Sequence, residues 1–449
     1  MADLLSIGRS GVQAYQGALS AIGENVTNAD TEGYARRNVV LREQAAAHDP
    51  FSLNRTASLS GVQNTQVSRA WDQFRAGAAW TATSDASRAS TRSQYLASME
   101  SMLDNSDSGV GTKLTTVFTS ASQLAGNPSD VTLRQTMLSA VGDAAGVIRQ
   151  TSTSLGKMAD TITSQADVMV SQINSNLDSL AKINIALHSA GQGTAGRAQL
   201  EDQRDSLIGS LSKNVQMDVT LNADGSASLK LNDTSGPTLL AADSTGSAFM
   251  MLRVAGTGAL SVDTVYKGTS SSTTPVGGAL SAVIDVSSVL VGRRQQLDGI
   301  AADFVTEMNA WQAQGQTTAG VAGAPILSGA SASAIQLVLT DPAGIAAADT
   351  SGKENGNLNA ITSLRGPNGV EARWASMINQ QGLLVSSAAT EESAAASRKN
   401  TALSALDEVS GVDLDTEAAE LLRYQQAYQA SSKIIQTARS TLQSILDLF

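Results

Sequence analysis

The side chains able to do chemistry are few, and their spacing supports none. The chain of 449 residues contains no cysteine and two histidines, His48 and His188, so disulfides, a thiolate nucleophile and thiolate metal sites are unavailable. The histidines stand far apart and read as surface or satisfied residues. HExxH, a Walker A loop, GxSxG, EF-hand ligands and zinc pairs do not occur. Gly109-Val110-Gly111 and Gly256-Thr257-Gly258 lack the third glycine and the strand-to-helix setting that phosphate binding requires. Asp202, Arg204 and Asp205 cluster on an expected helix, where such charges read as a solvated face or local ion pair rather than an active site. Asn25-Val26-Thr27, Asn54-Arg55-Thr56 and Asn232-Asp233-Thr234 fit the N-glycosylation pattern, a tripeptide common by chance. The expectation is a protein that is not an enzyme and uses no cofactor or metal.

Bulk properties narrow the partners. A formal net charge of -11 repels phosphate backbones and anionic headgroups, so neither nucleic acid nor a membrane surface is expected. No run approaches the roughly twenty apolar residues of a membrane span. The opening MADLLSIGRSGVQAYQGAL lacks the basic start and unbroken apolar run of a cleavable secretory signal. A soluble protein is expected, either cytoplasmic or exported by a route that needs no such signal. Aromatic residues are only 4% of the chain, which suits long, thin helical packing better than a large enzyme core.

The organising pattern is apolar and lies at the two ends. From Val412 to Phe449, the residues Leu414, Leu421, Tyr428, Ile435, Leu442 and Phe449 recur every seven positions, with Tyr424, Ala438 and Ile445 at the second apolar position of the heptad. Asp413, Asp415, Glu417 and Glu420 crowd the start of this helix, where carboxylates suit free N–H groups and the positive dipole end. So narrow a stripe needs a partner. Leu5, Val12, Leu19 and Val26 form a matching row near the start of the chain, with Tyr15 and Ile22 between them and Gly8 as a gap. Pairing of the two ends is the expected outcome. The first helix should stop around Asn25 to Asn28, in turn chemistry reading NVTNADTEGYARR.

Between the ends, helical spacing runs from Trp71 to Leu103, with Trp71, Phe74 and Ala78 at one end and Tyr95, Met99 and Met102 at the other. Weak alternation covers Asn38 to Arg42, and the stretch on to Ser68 has little periodicity. A helix over Val110 to Leu124 breaks at Gly126-Asn127-Pro128. Val141, Ile148, Leu155, Ile162, Met169, Asn176 and Ile183 then keep a seven-residue interval, which predicts a rod of about 75 Å. A helix containing Leu200, Leu207 and Leu211 follows. At Val215 the period becomes two, and a hairpin turning at Asn222 to Gly225 opens a strand-like stretch that reaches Val286. Helix resumes over Ser287 to Gln314 and Ala372 to Asp407, with a short strand at Ile335 to Leu339 between them. The fold class is mainly α with a small all-β insertion, elongated and nested, its N- and C-terminal helices paired in a coiled-coil-like core domain. The expected domains are residues 1–68 plus 405–449 for terminal polymerisation, 69–212 plus 287–404 for the long helices, and 213–286 for the β insertion.

These residues resemble the flagellar rod, hook and hook-associated family. Its N-terminal signature is similar to Asn25-Val26-Thr27-Asn28-Ala29-Asp30-Thr31-Glu32-Gly33-Tyr34-Ala35-Arg36, with Asn25, Asn28, Thr31, Gly33, Tyr34 and Arg36 as motif positions and Glu32 standing where the family commonly has proline. Its C-terminal signature resembles Ser410-Gly411-Val412-Asp413-Leu414-Asp415 through Glu417, then Tyr424-Gln425-Gln426-Ala427-Tyr428-Gln429-Ala430 and Ile435. The long central helices, the stretch Leu200-Glu201-Asp202-Gln203-Arg204-Asp205-Ser206-Leu207 and the β insertion resemble the hook-associated branch, which forms the junction between hook and filament. The resemblance implies a structural subunit of an extracellular tube that assembles with copies of itself. Hook protein and a second junction protein or filament subunits would be its neighbours. It also implies export by the flagellar type III apparatus without a cleaved signal peptide, and an export chaperone on the C-terminal helix. The alternatives are a rod or hook protein, a cytoplasmic coiled-coil adaptor, or a cell-wall hydrolase delivered by helices.

Overall fold

A computed structural model describes residues 2–31, 33–43, 61–103, 106–243 and 246–447. Helix α1 (Ala2–Thr27) ends in the Asn/Asp/Gly turn, and β1 (Arg37–Glu43) and β2 (Val62–Arg69) form an antiparallel ribbon against it. The second strand was not foreseen. Its sequence, VQNTQVSR, is almost wholly polar, so alternation leaves no apolar trace to read.

Helix α2 (Gln73–Met102) starts at Asp72, whose carboxylate accepts the N–H groups of Phe74 and Arg75. At its far end Met99 is buried and Tyr95 and Met102 half-buried, as expected. At its start Trp71 is half-buried, Phe74 and Ala78 are exposed, and the inward face is Ala76, Ala79, Thr83 and Ser84. Small side chains face inward where α2 packs against the later helix over Val370–Ser410, and the large ring is turned out.

Helix α3 (Val110–Gly126) leads to α4 (Val131–Ser189), 59 residues long, which makes a rod of about 90 Å. Val141, Ile148, Leu155 and Ile162 are buried as the heptad predicts, but Met169 and Ile183 are only half-buried. The buried row shifts to Val170, Ile173, Leu177 and Leu180. An unsupercoiled helix of 3.6 residues per turn drifts by about 20° per heptad, so one heptad row cannot stay inward over so great a length.

After α5 (Ala195–Asn214) come two three-stranded antiparallel sheets: β3 (Met217–Leu221), β4 (Ala227–Leu231) and β5 (Thr238–Leu240), then β6 (Phe249–Val254), β7 (Leu260–Tyr266) and β8 (Thr269–Ser272). The hairpin turns at Asn222 to Gly225 as read. There Asp224 accepts the N–H and hydroxyl of Ser226, and His188 Nδ1 lies 3.0 Å from its carboxylate. Those hydrogen bonds hold the Asp224 carboxyl down to about 2.

Helix α6 (Gly278–Gln314) begins nine residues before the expected Ser287. Leu280, Val283, Ile284 and Val286 are buried, and so dense an apolar run does not by itself separate strand from helix. The short pair β9 (Leu327–Ser328) and β10 (Gln336–Leu337) precedes α7 (Gly356–Ala360), α8 (Val370–Ser410) and α9 (Leu414–Leu446). A polar pin joins α2, α6 and α8: buried Arg293 donates to Gln380 and Gln381, and Gln381 donates to the Leu96 carbonyl. Among the described residues no helix is long and apolar enough to cross a membrane.

Candidate assembly interface of the terminal helices

Helices α1 and α9 pack antiparallel, with Gly8 against Ile435, Gly11 against Ser431, Tyr15 against Tyr424 (ring centroids 6.1 Å apart) and Asn25 against Glu417. The buried residues of α1 are Gly8, Gly11, Ala14, Ala18, Ala21, Ile22 and Asn25, a row of mostly small side chains. Of the expected stripe, Ile22 is buried, Leu5, Val12, Tyr15 and Leu19 are half-buried, and Val26 is exposed. The burial centre is turned because α1 serves two neighbours. One flank meets α9, while the other meets β2, where Ser10 Oγ accepts the Val62 N–H and Gly17 lies against Asn64. The gap at Gly8 was the visible sign of this seam.

On α9 the expected Leu421, Tyr424, Tyr428 and Ile435 are half-buried, whereas Leu414, Leu442 and Ile445 are exposed. All of residues 441–447 are exposed, since the antiparallel register carries α9 past the start of α1. Phe449, His48, Glu32 and the Asn54 tripeptide lie outside the described residues. The buried positions of α9 are Glu417, Ser431 and Ala438. Asp413 caps the helix, and the hydroxyl of Thr416, at 2.7 Å, holds its carboxyl below the usual carboxylate range.

The closeness of the seam makes a test. A Cβ on Gly8 would stand 2.6 Å from Ile435 Cγ1, and one on Gly11 would stand 2.6 Å from Ser431 Oγ. Gly8→Val and Gly11→Val are each expected to cost about 1–3 kcal/mol by overpacking and to raise hydrogen exchange in α1 and α9. Exchange equal to the parent's in both variants would show that the helices are not in this contact.

The motif turn centres on Asn25, which is 1% exposed. Its Nδ2 donates to the Arg37 carbonyl and to Glu417 Oε2, both at 3.0 Å, and its Oδ1 accepts the Tyr34 hydroxyl at 2.8 Å and the Arg37 N–H at 2.9 Å. One amide thus joins α1, the turn, β1 and α9. Burial pushes the Tyr34 phenol up to about 12 against the pull of Arg37. Asn28 and Thr31 hold the turn between themselves, with Gly33 at φ +82°. The backbone of Arg36 ties the turn to the end of α8 and to the link between β2 and α2, donating its N–H to the Ser410 carbonyl and accepting the Ala70 N–H. Both amide hydrogens of Asn25 are thus used within the fold, whereas Asn232 donates once, to the Thr274 carbonyl, and accepts the Val276 N–H.

The charge cluster on α5 proves to be neither solvated nor merely local. Arg69 at the end of β2 lies 2.8 Å from Asp202, 2.7 Å from Asp205 and 3.6 Å from Glu201, and Arg37 lies between Glu24 and Asp202. Arg204 binds Asp205 at 2.7 Å, and Arg69 and Arg204 both sit near the Trp71 ring. Burial pushes the Asp202 carboxyl up, opposed by Arg69 and Arg37. The cluster therefore docks the terminal ribbon onto the long helices. Sequence reasoning missed Arg69 and Arg37, and read Glu417 only as a carboxylate at the helix start, because the partners Asp202, Asp205 and Asn25 lie far away along the chain. Among the described residues no group of three or more His, Cys, Asp or Glu side chains is placed to hold a metal ion.

Residues 96–327, more than half of the chain, match the family model of the flagellar hook-associated protein FlgK helical domain. The chain belongs to the flagellar hook-associated protein 1 family. Residues 404–448 also match the C-terminal model of the flagellar basal body rod FlgEFG proteins, so the end is shared with rod proteins and the middle decides the branch. Flagellar hook-associated protein 1 of Salmonella typhimurium is 27% identical over 236 residues, 51% of this chain and 41% of that protein. The chain thus matches about two fifths of that relative's length. The Bacillus subtilis protein of the same name is 25% identical over 500 aligned residues, covering 99% of this chain and 97% of the relative. The fold is similar to the structure of the flagellar hook junction protein FlgK from Burkholderia pseudomallei, with a TM-score of 0.65 and 15% identity over 74% of this chain and all of that one.

Proposed function

We propose that the protein is a structural subunit of the bacterial flagellum that forms the junction between hook and filament by self-assembly through α1 and α9. The observation that carries this reading is an unfinished terminal pair. Its seam is closed by glycine, alanine and serine, while Val26, Leu414, Leu422, Ile434, Leu442, Ile445 and Leu446 stay exposed. Copies set side by side would cover these side chains and supply the burial that one pair lacks. The terminal domain, residues 1–68 plus 405–449, would then line the inner wall of a tube. The long helices, residues 69–212 plus 287–404, would lie outside it, and the β insertion within residues 213–286 would lie outermost.

As a junction it would bear on hook protein at one end and on a second junction protein or filament subunits at the other, outside the cell. Export through the flagellar type III apparatus without a cleaved signal peptide belongs to the same reading. A chaperone would cover the apolar residues of α9 until assembly. Deleting residues 411–449 is expected to leave a folded central region that no longer enters flagella. Incorporation of the truncated chain at the parent level, seen by imaging a labelled copy, would overturn the proposal.

A further inference from the structure

Helix α9 carries two exposed faces that its packing on α1 leaves uncovered, and they lie at its opposite ends. Near its start Asp415, Ala418 and Leu422 follow one another at three and four residues, so they share one side of the helix, and all three are exposed. Near its end Arg439, Leu442 and Leu446 repeat that spacing and are exposed as well. Among the described residues neither Asp415 nor Arg439 stands in an ion pair, and Arg423, the nearest cation to Asp415 along α9, is taken by Glu420.

The two ends of the α1–α9 pair also differ in charge. Over residues 22–37 and 411–424, at the motif turn, acids outnumber arginines seven to three. Over residues 2–12 and 429–447, at the far end, Arg9, Lys433 and Arg439 stand against Asp3 and Asp447. There residues 441–447 project beyond the start of α1, all of them exposed.

Copies with a formal net charge of -11 repel one another on average. A contact between them therefore gains most where the basic end of one meets the acidic end of the next. Such a contact joins two different surfaces, so it repeats from copy to copy instead of closing as a dimer, and in a tube it leaves all copies pointing one way. Their α9 helices then run parallel. A single offset between parallel helices sets Arg439 against Asp415, Leu442 against Ala418 and Leu446 against Leu422. We infer that the end of α9 in one copy laps over the start of α9 in the next through these three pairs. This lap joint rests on the self-assembly proposed above and specifies which surfaces meet. The offset displaces neighbouring copies by about 36 Å along the helix axis.

The chain has no cysteine, so an engineered pair reports a single contact. In flagella isolated from cells that carry Leu422→Cys together with Leu446→Cys, mild oxidation is expected to give a ladder of covalent oligomers, while either single variant stops at the dimer or below. Arg439→Glu should lower incorporation about tenfold by setting like charges opposite each other, and should leave Tm unchanged because the side chain is exposed. Asp415→Arg in the same chain should restore incorporation, a rescue that a folding defect does not give. A double-cysteine chain that enters flagella at the parent level and forms no oligomer beyond the dimer overturns the lap joint while leaving assembly through α9 standing, as does failure of Asp415→Arg to rescue Arg439→Glu. Incorporation of the chain that lacks residues 411–449 would instead overturn the assembly reading, and the lap joint with it.

Discussion

Asn25→Ala is expected to free α1 from α9 while the central helices stay folded. The substitution removes all four hydrogen bonds of the amide at once and leaves the Tyr34 hydroxyl, the Arg37 N–H and the Glu417 carboxylate without that partner. Glu417 is itself buried, so its charge loses a donor where water does not replace it. Unsatisfied neutral groups cost about 1–3 kcal/mol each, and a stranded buried charge costs more, which places the loss at about 3–5 kcal/mol. For a unit closed by glycines and alanines that is enough to separate the two helices. Limited proteolysis should cut α1 and α9 early and spare α4, and hydrogen exchange should rise in the same segments. Asn25→Asp sharpens the test by setting a carboxylate against Glu417. It should be at least as damaging at neutral pH and partly restored in acid, as protonation removes the repulsion. Parent-level protection in both variants would mean that the amide is not the joint.

Arg69→Ala should break a different joint, between the terminal ribbon and α5. Its guanidinium is shared by Glu201, Asp202 and Asp205 and is almost fully buried. Without it three carboxylates face one another with Arg37, Arg197 and Arg204 as the remaining cations. Breaking a buried pair from one side costs about 3–5 kcal/mol. Arg69→Lys should restore little, since a single ammonium cannot span three acceptors as the planar fork does. Asp205→Asn in the Arg69→Ala background should recover part of the loss, because it removes one uncompensated charge. Solution scattering would show a widened angular spread of the terminal domain about the rod. Unchanged scattering and Tm in Arg69→Ala would sink this account of the joint.

The two joints differ in kind, which bears on the proposed role. The joint at Asn25 lies within the terminal domain and is made of directional hydrogen bonds. The joint at Arg69 lies between that domain and the long helices and is ionic. On the proposed role, Asn25 would fix the shape of the α1–α9 pair through which copies assemble. Arg69 sets how that pair is aimed relative to the rest of the subunit.

Residue order alone determined a good deal. The heptads of Leu5 to Val26 and Leu414 to Leu442 fixed that two amphipathic helices stand at opposite ends and require a partner, and the motif from Asn25 to Arg36 marked where the first one stops. The hairpin around Asn222 to Gly225 and the long helix over Val141 to Ile183 were equally legible. These features are local: period, capping and turn chemistry act within a few residues, so they are written in neighbouring letters. Only tertiary structure decided which face of each helix is buried. Helix α1 turned Gly8 and Gly11 to α9 while the ribbon, whose strand β2 carries no apolar period, took another part of its surface. Tertiary structure also decided that Asp202 and Asp205 are a joint rather than a solvated face, because Arg69 reaches them across more than a hundred residues of chain. Burial and ion pairing are properties of what the chain brings together, and no local pattern encodes the neighbour.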